Sequence, residues 1–433
     1  MSNAIVKNLN FGLDAKDNVF AGITKLTQAV SSTLGASGKC VMLEDGTGQP
    51  IITKDGVTVA EAITLLDPVE NMGATLLKQA AKKTVSEAGD GTTTATVLAH
   101  AILSEAYKVI TKENSREVKE SILSATNKVV DYLDSIVTPV DGDMIDQVAT
   151  ISTNNDPLLG KIIADAFRSV DQTGVVMLEV SDLPETNFET IDGVQYNRGL
   201  KNIHFVTIDA PIYGVNKKET LEDLALLTGA TVINEDLGDD IDLIQPEQLG
   251  ECKKTITSEH ETILQVHEIS QEVKDLIEDI KAKLKTAKHP GIIVNNEKRL
   301  ARLSGKVAVV KVGANSEVEL KEKRDRVEDA ICATKAAIKE GIVPGGGIAL
   351  LNASEKIETS NSLEKILLRA IKSPFNTILA NAGIKNEKYF NKEGKGLNVV
   401  TGDMVNMIES GIIDPLLVTK SALKNASSVA RTI

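Results

Sequence analysis

The chain contains no tryptophan, and aromatic residues make up 3% of its 433 positions. Its cores must therefore be aliphatic, and stacking platforms for bases or sugars are hard to build from it. Cysteine is also scarce: Cys40, Cys252 and Cys332 are odd in number and far apart. That excludes a disulfide framework and a CxxC metal site, and it fits a reducing, cytoplasmic setting. The five histidines have no HExxH or paired metal spacing and read as core or solvent residues. No stretch reaches the ~18 apolar residues of a membrane span, and Met1 to Asn18 has no apolar core of signal-peptide length. A membrane partner is not expected. Basic charge is in deficit: 48 Lys+Arg against 61 Asp+Glu give a net charge of −13, which repels a nucleic-acid backbone. The P-loop pattern GxxxxGK[ST] is absent as well.

What is present is 42% hydrophobic and 25% charged sequence, the balance of a globular protein long enough for about three domains. The two ends are helix-rich. Val19 to Leu34 carries one apolar face, Ser115 to Ser135 another, and Glu317 to Glu340 reads as a long charged helix. Asp67-Pro68-Val69-Glu70 has the signature of a helix start, with Asp as cap, Pro at the first position and Glu three after the cap. That helix meets a second one, from Thr92 to about Ile110, at the corner Gly89-Asp90-Gly91. Cys40 to Leu43 and Pro50 to Thr53 predict a hairpin with its tip at Glu44 to Gln49. The middle is mixed: strands over Gly174–Glu179, Ile203–Ile208 and Val307–Val312, with helices over Thr220–Leu227 and Gln271–Ala287.

The Gly-Asp-Gly corner before Thr92-Thr93-Thr94 suits a phosphate, because small residues expose N–H groups at a helix N-terminus and hydroxyls add donors. Asp90 would then hold Mg²⁺. Glycine and Asp or Thr capping explains the same residues structurally. Lys54-Asp55-Gly56 is equally readable as a tight turn, Asp329 as a solvated acid in a charged helix, and Gly345-Gly346-Gly347 as a helix break.

Taken together, Thr33-Leu34-Gly35, Ile52-Thr53-Lys54-Asp55-Gly56-Val57, Glu70-Asn71-Met72-Gly73-Ala74, Ala88 to Leu98, Arg326-Val327-Glu328-Asp329-Ala330 and Gly345 to Gly347 follow the order of a group I chaperonin. The chain resembles GroEL-type chaperonins over nearly its whole length. The resemblance implies a mixed α/β, mainly α, chaperonin fold: a helical equatorial domain (1–138 and 334–433), a small intermediate hinge domain (139–192 and 307–333) and an inserted, reduced apical domain (193–306). It implies ATP, Mg²⁺ at Asp90, phosphates on Gly91, Thr92, Thr93 and Thr94, and K⁺ beside Thr33, Lys54 and Thr93. Asp329 then orients the attacking water and Asp55 is a second acid near the γ-phosphate. Leu34 and Gly35 belong to the same pocket, Gly346 and Gly347 face the nucleoside, and Asn398 and Asp414 match base and ribose contacts. The implied partners are copies of the same chain in a ring and non-native polypeptide clients.

The sequence also departs from the family. Ala36 replaces a proline, Val399-Val400 replaces a small pair, and the family's final strand is not found by Ile433. After Gly193 to Gly199 the chain passes directly to Ala210-Pro211-Ile212-Tyr213-Gly214, so the paired helices that receive clients and a co-chaperonin are expected to be missing. A co-chaperonin therefore has no expected docking groove, and an apolar strip around Leu200, Ile203 and Phe205 is the expected client contact. Reduced chaperonins of this kind resemble phage-encoded members. A ring-forming scaffold without catalysis and a metabolic kinase are the competing readings. The three acids Asp55, Asp90 and Asp329 speak against the first, and the lack of an identifiable base against the second.

Overall fold

The computed structural model describes residues 10–44, 50–140, 142, 144–153, 156–170, 175–181, 183–196, 216–234, 239–240, 243–257, 262–266, 269–286, 296, 299–300, 303, 306–385 and 394–433. Its elements run α1 (Gly12–Ser31), β1 (Val41–Glu44), β2 (Pro50–Thr53), α2 (Gly56–Ala62), α3 (Pro68–Ala88), α4 (Thr92–Tyr107), α5 (Ser115–Ser135), α6 (Met144–Ser152) and α7 (Pro157–Ser169). The middle adds β3 (Val175–Val180), β4 (Asn187–Tyr196), α8 (Asn216–Thr228), β5 (Lys254–Thr257), β6 (Thr262–Gln265), α9 (Gln271–Thr286) and β7 (Lys306–Val312). Then follow α10 (Glu317–Glu340), β8 (Ile342–Pro344), α11 (Ile348–Lys356), α12 (Lys365–Ala370), α13 (Ser373–Asn381), β9 (Lys395–Leu397), β10 (Met404–Asn406), β11 (Ile413–Pro415) and α14 (Leu416–Thr432). Two compact units result, one from residues 1–161 with 316–433 and one from 162–315.

The first unit is a helical bundle around α4. That helix is apolar on nearly all sides, with Ala95, Leu98, Ala99 and Ile102 fully buried, so it can only be stable at the centre. α1, α3, α12, α13 and α14 pack around it. Four of the hydroxyls brought inside are satisfied within their own helices: Thr27, Thr84, Thr96 and Thr126 each donate to the carbonyl four residues back. At the α1–α3 crossing the backbones touch. A Cβ at Gly22 would sit 1.9 Å from the Glu70 carbonyl oxygen, and one at Gly73 would sit 2.1 Å from that of Val19. Neither neighbour is a side chain that could move aside. Although alanine normally favours a helix over glycine, Gly73→Ala is expected to destabilise the protein by roughly 2–4 kcal/mol, read as a lowered urea midpoint at unchanged m-value.

Asp67 caps α3 as its sequence requires, accepting from the Val69 and Glu70 amides with Pro68 following. Glu70 does not close a capping box. Its carboxylate instead takes the Lys25 ammonium at 2.6 Å, stapling α3 to α1.

The second unit holds a five-stranded sheet in the order β3-β7-β4-β6-β5. β3 runs parallel to β7, with Val175 opposite Val307, and β7 is buried from Val307 to Val310. β4 joins two partners, pairing antiparallel with β7 over Asn187–Asp192 and with β6 over Gly193–Tyr196. Helices α8 and α9 close over Val273, Ile280 and Leu303. Buried Asp223 of α8 receives a bidentate Arg299 guanidinium at 2.8–3.0 Å. The expected strand Ile203–Ile208, and Leu200, His204 and Phe205 with it, lie outside the described residues.

Candidate nucleotide site

α2, α3 and α5 begin with Asp55, Asp67 and Asn114, whose side chains accept the first free amides. α4 does not. Its cap is Gly91, left-handed at φ 92°, with no side-chain acceptor, and the preceding helix ends on Gly89, also left-handed at φ 75°. The corner thus presents the uncapped start of a buried central helix, the local condition for anion binding. The alternative in which Asp or Thr caps α4 is not realised. Asp90 bonds instead to the Gly91 amide beside it.

This helix start opens into a cavity of about 930 Å³, within the range of small-molecule sites. Every site residue expected from the sequence lines it: Thr33, Leu34, Gly35, Lys54, Asp55, Asp90, Gly91 to Thr94, Asp329, Gly346, Gly347, Asn398 and Asp414. Gly56 lets the loop before α2 approach, since a Cβ there would lie 2.2 Å from the Thr93 hydroxyl. Thr33 Oγ1 stands 3.3 Å from Thr93 Oγ1 and also donates to the Val30 carbonyl. The Asp55 carboxylate accepts from the Val57 and Thr58 amides and the Thr58 hydroxyl at 2.7–3.0 Å, so the residue is at once a helix cap and a lining acid. Asn398 Oδ1 accepts the Val400 and Thr401 amides, which directs its remaining amide group away from its own turn. The Gly346 and Gly347 amides bond to Asp414, so the glycine turn and this acid form one structure.

The lining contains five aspartates, Asp55, Asp90, Asp146, Asp329 and Asp414, against one lysine, Lys54. Their mutual repulsion is visible in their protonation. Burial, then Asp90 and Asp55, push Asp329 up to about 9. Burial and Asp90 bring Asp414 to about 7 against the pull of the two glycine amides. Burial, with Asp55 adding to it, raises Asp90 too. One helical turn from Asp329, Cys332 rests on the corner: a Cβ at Gly89 would come within 2.4 Å of the Cys332 Cβ. Its thiol, driven to about 12 by burial and by Asp329, Glu328 and Asp90, is no nucleophile at neutral pH.

These groups fit a polyphosphate accompanied by hard cations. An anion alone would meet net negative charge, whereas the Asp90 carboxylate at the helix start would suit Mg²⁺ that keeps waters and phosphate oxygens as its other ligands. Among the described residues no group of three or more His, Cys, Asp or Glu could hold a metal ion. The paired Thr33 and Thr93 hydroxyl oxygens suit a monovalent cation.

Asp329 and Asp414 keep in the folded state protons that the unfolded chain loses near 3.8. Their contribution to stability is complete below about pH 4 and is lost as pH rises, through about 7 for Asp414 and about 9 for Asp329. Asp329→Asn is therefore expected to raise the Tm of the ligand-free protein by roughly 2–6 °C at pH 8 and by little at pH 4, as scanning calorimetry would detect.

Sequence reading missed Asp146 and its neighbours Gln147, Thr150 and Ile151, which α6 contributes to the cavity. It also missed Phe375 and Ile378 of α13, whose only local signal was the proline start of that helix. His100 is structural, stacked 5.5 Å from Phe20 and within 3.2 Å of the Thr24 hydroxyl. No described helix is long and apolar enough to cross a membrane.

Comparison with known proteins agrees with this architecture. The solved chaperonin gp146 from the bacteriophage EL 2 (Pseudomonas aeruginosa), crystallised in the presence of ATP-BeFx, superimposes with a TM-score of 0.77 at 19% identity, covering 97% of this chain and 96% of that one. A second crystal form of the same protein gives 0.70 at 21% identity with the same coverage. The model of the TCP-1/cpn60 chaperonin family matches residues 26–211 and 203–433. With a family match along most of its length and the chaperonin fold throughout, the chain belongs to the TCP-1/cpn60 chaperonin family.

Proposed function

We propose that this chaperonin subunit assembles into a ring with copies of itself and hydrolyses ATP, with Mg²⁺ and K⁺, to assist the folding of non-native polypeptides. The observation that carries the reading is the uncapped α4 N-terminus facing a cavity with five aspartates and a single lysine. Asp90, with Gly91 to Thr94, would hold the metal and phosphates, and the backbone around Thr33 and Lys54, with the Thr93 hydroxyl, the monovalent ion. Bound Mg²⁺ supplies neutralisation of phosphate charge, the main requirement of phosphoryl transfer. The remaining work falls to the protein. The α4 amides and threonine hydroxyls orient the phosphates. Asp55, fixed by its three hydrogen bonds, holds a negative edge in place. Asp329, pushed up to about 9 by burial and its acidic neighbours in the ligand-free protein, would orient the attacking water. Gly346, Gly347, Asn398 and Asp414 position the nucleoside. In this reading the subunit has three parts: an equatorial domain (1–138 and 334–433), an intermediate hinge (139–192 and 307–333) and a reduced apical domain (193–306). A client-free ATPase assay with magnesium titration tests this: turnover abolished by a chelator and restored by Mg²⁺ is the expected result. A folded protein that binds the nucleotide without turnover at any Mg²⁺ concentration would instead make it a non-catalytic scaffold.

A further inference from the structure

We propose that the segment following α8 is a client-capturing strip that selects extended chains combining apolar with basic side chains. Leu243, Ile244 and Leu249 stand 67%, 38% and 66% exposed within seven residues, the densest run of exposed large apolar side chains among the described residues of the second unit. The strip is held, not loose. The Thr231 amide donates to the Gln248 carbonyl at 2.9 Å and the Glu251 amide to the Thr228 carbonyl at 2.8 Å, tying both sides to the end of α8. Between them a short turn at Pro246–Gln248 is closed by the Gln245 amide donating to the Gln248 side-chain oxygen at 2.8 Å and the Gln248 amide donating to the Gln245 carbonyl at 3.0 Å. Three large side chains kept in water by a fixed backbone are a standing free-energy cost that an apolar partner would remove.

Charge identifies the partner. From 235 to 251 the sequence holds seven carboxylates and no lysine or arginine. Asp239, Asp240, Glu247 and Glu251 are exposed around the three apolar residues. An acidic border attracts basic segments from a distance and penalises acidic ones, while the leucines and isoleucine retain whatever is apolar. A second copy of this chain carries net charge −13 and is a poor match. A non-native segment rich in Leu and Lys or Arg fits both features.

The inference rests on the folding-assistant reading, and its test separates the two. Fluorescent short peptides alternating Leu with Lys or Leu with Glu are titrated into the full-length protein by anisotropy, beside an aggregation assay with a basic denatured client. The Leu/Lys peptide is expected to bind at least about ten-fold more tightly than Leu/Glu at low salt. Leu243→Ser with Leu249→Ser should weaken it at least about five-fold, with ATPase unchanged and aggregation suppression reduced. Both residues are exposed, so the fold is not at stake. Asp239→Asn with Glu247→Gln should erase the preference between the peptides while Leu/Glu binding persists or improves. Unchanged peptide binding in the serine variant would mean that diffuse charge alone attracts the basic peptide and would overturn the strip. So would full aggregation suppression by that variant, or a fall in its sedimentation coefficient, which would assign the strip to a contact between copies. Wild-type protein that neither hydrolyses ATP nor suppresses aggregation would overturn the folding-assistant reading itself.

Discussion

Asp329→Ala is expected to reduce kcat at least about ten-fold, and up to the ~10²–10⁴ typical of a lost positioned proton acceptor, while Mg-ATP affinity changes little. The reason lies in the charge balance of the cavity. Asp329 is pushed to about 9 by burial and by neighbouring acids, so the ligand-free pocket at neutral pH contains it largely as a neutral group. Replacing it with alanine removes little charge from the ground state. What is removed is the group proposed to orient the attacking water, which only the transition state needs. Asp90→Ala should behave differently. Asp90 stands at the uncapped start of α4, bonded to the Gly91 amide, where the proposed metal and phosphates would meet. Its loss should weaken Mg-ATP binding as well as turnover, with a steeper dependence on Mg²⁺ concentration. Calorimetric titration together with steady-state rates resolves the two variants. Equal loss of affinity in both would mean that Asp329 is a ground-state ligand and that the division of roles is wrong.

The parts of this molecule legible in sequence are those set by neighbouring residues. Asp67 and Pro68 start α3, and α5 and α10 keep the expected bounds because their apolar spacing and caps agree. β4 was not legible. Its ten residues contain few apolar side chains, and its partners β7 and β6 lie 60 or more residues away, so neither composition nor periodicity announces it. The close approaches at Gly22 and Gly73 had no local signature either. Gly73 appeared only as one letter in a family string, and its steric reason emerges when α1 crosses α3. At the site, five acids come from five separate stretches of chain. Four were identified through the resemblance, but Asp146 sits on a short helix where nothing local distinguishes it from a solvated acid.

Removing residues 45–49 from the hairpin, or replacing Met42 and Ile52 by Asp, is expected to convert the proposed rings to monomers in sedimentation velocity. β1 and β2 form a sheet of only two strands, with Val41 opposite Thr53 and Met42 opposite Ile52. One face is anchored: Val41 and Leu43 pack against the helical core. The other presents Met42 and Ile52 side by side at 70% and 52% exposure. Such a ribbon is marginal alone, and among the described residues no third strand pairs with it, which makes extension by a neighbour's strand a natural way to cover it. Burying two such side chains contributes about 3–5 kcal/mol per contact, so their loss weakens each interface by roughly two to three powers of ten. In a closed ring every interface is weakened at once, and the assembly should fail as a whole. Lys54 and Asp55 follow the second strand directly into the cavity, so the monomers should also lose ATPase rate while keeping some nucleotide affinity. Full rings in both variants would place assembly on the helix faces of the first unit and leave the hairpin as a brace for the nucleotide loop alone.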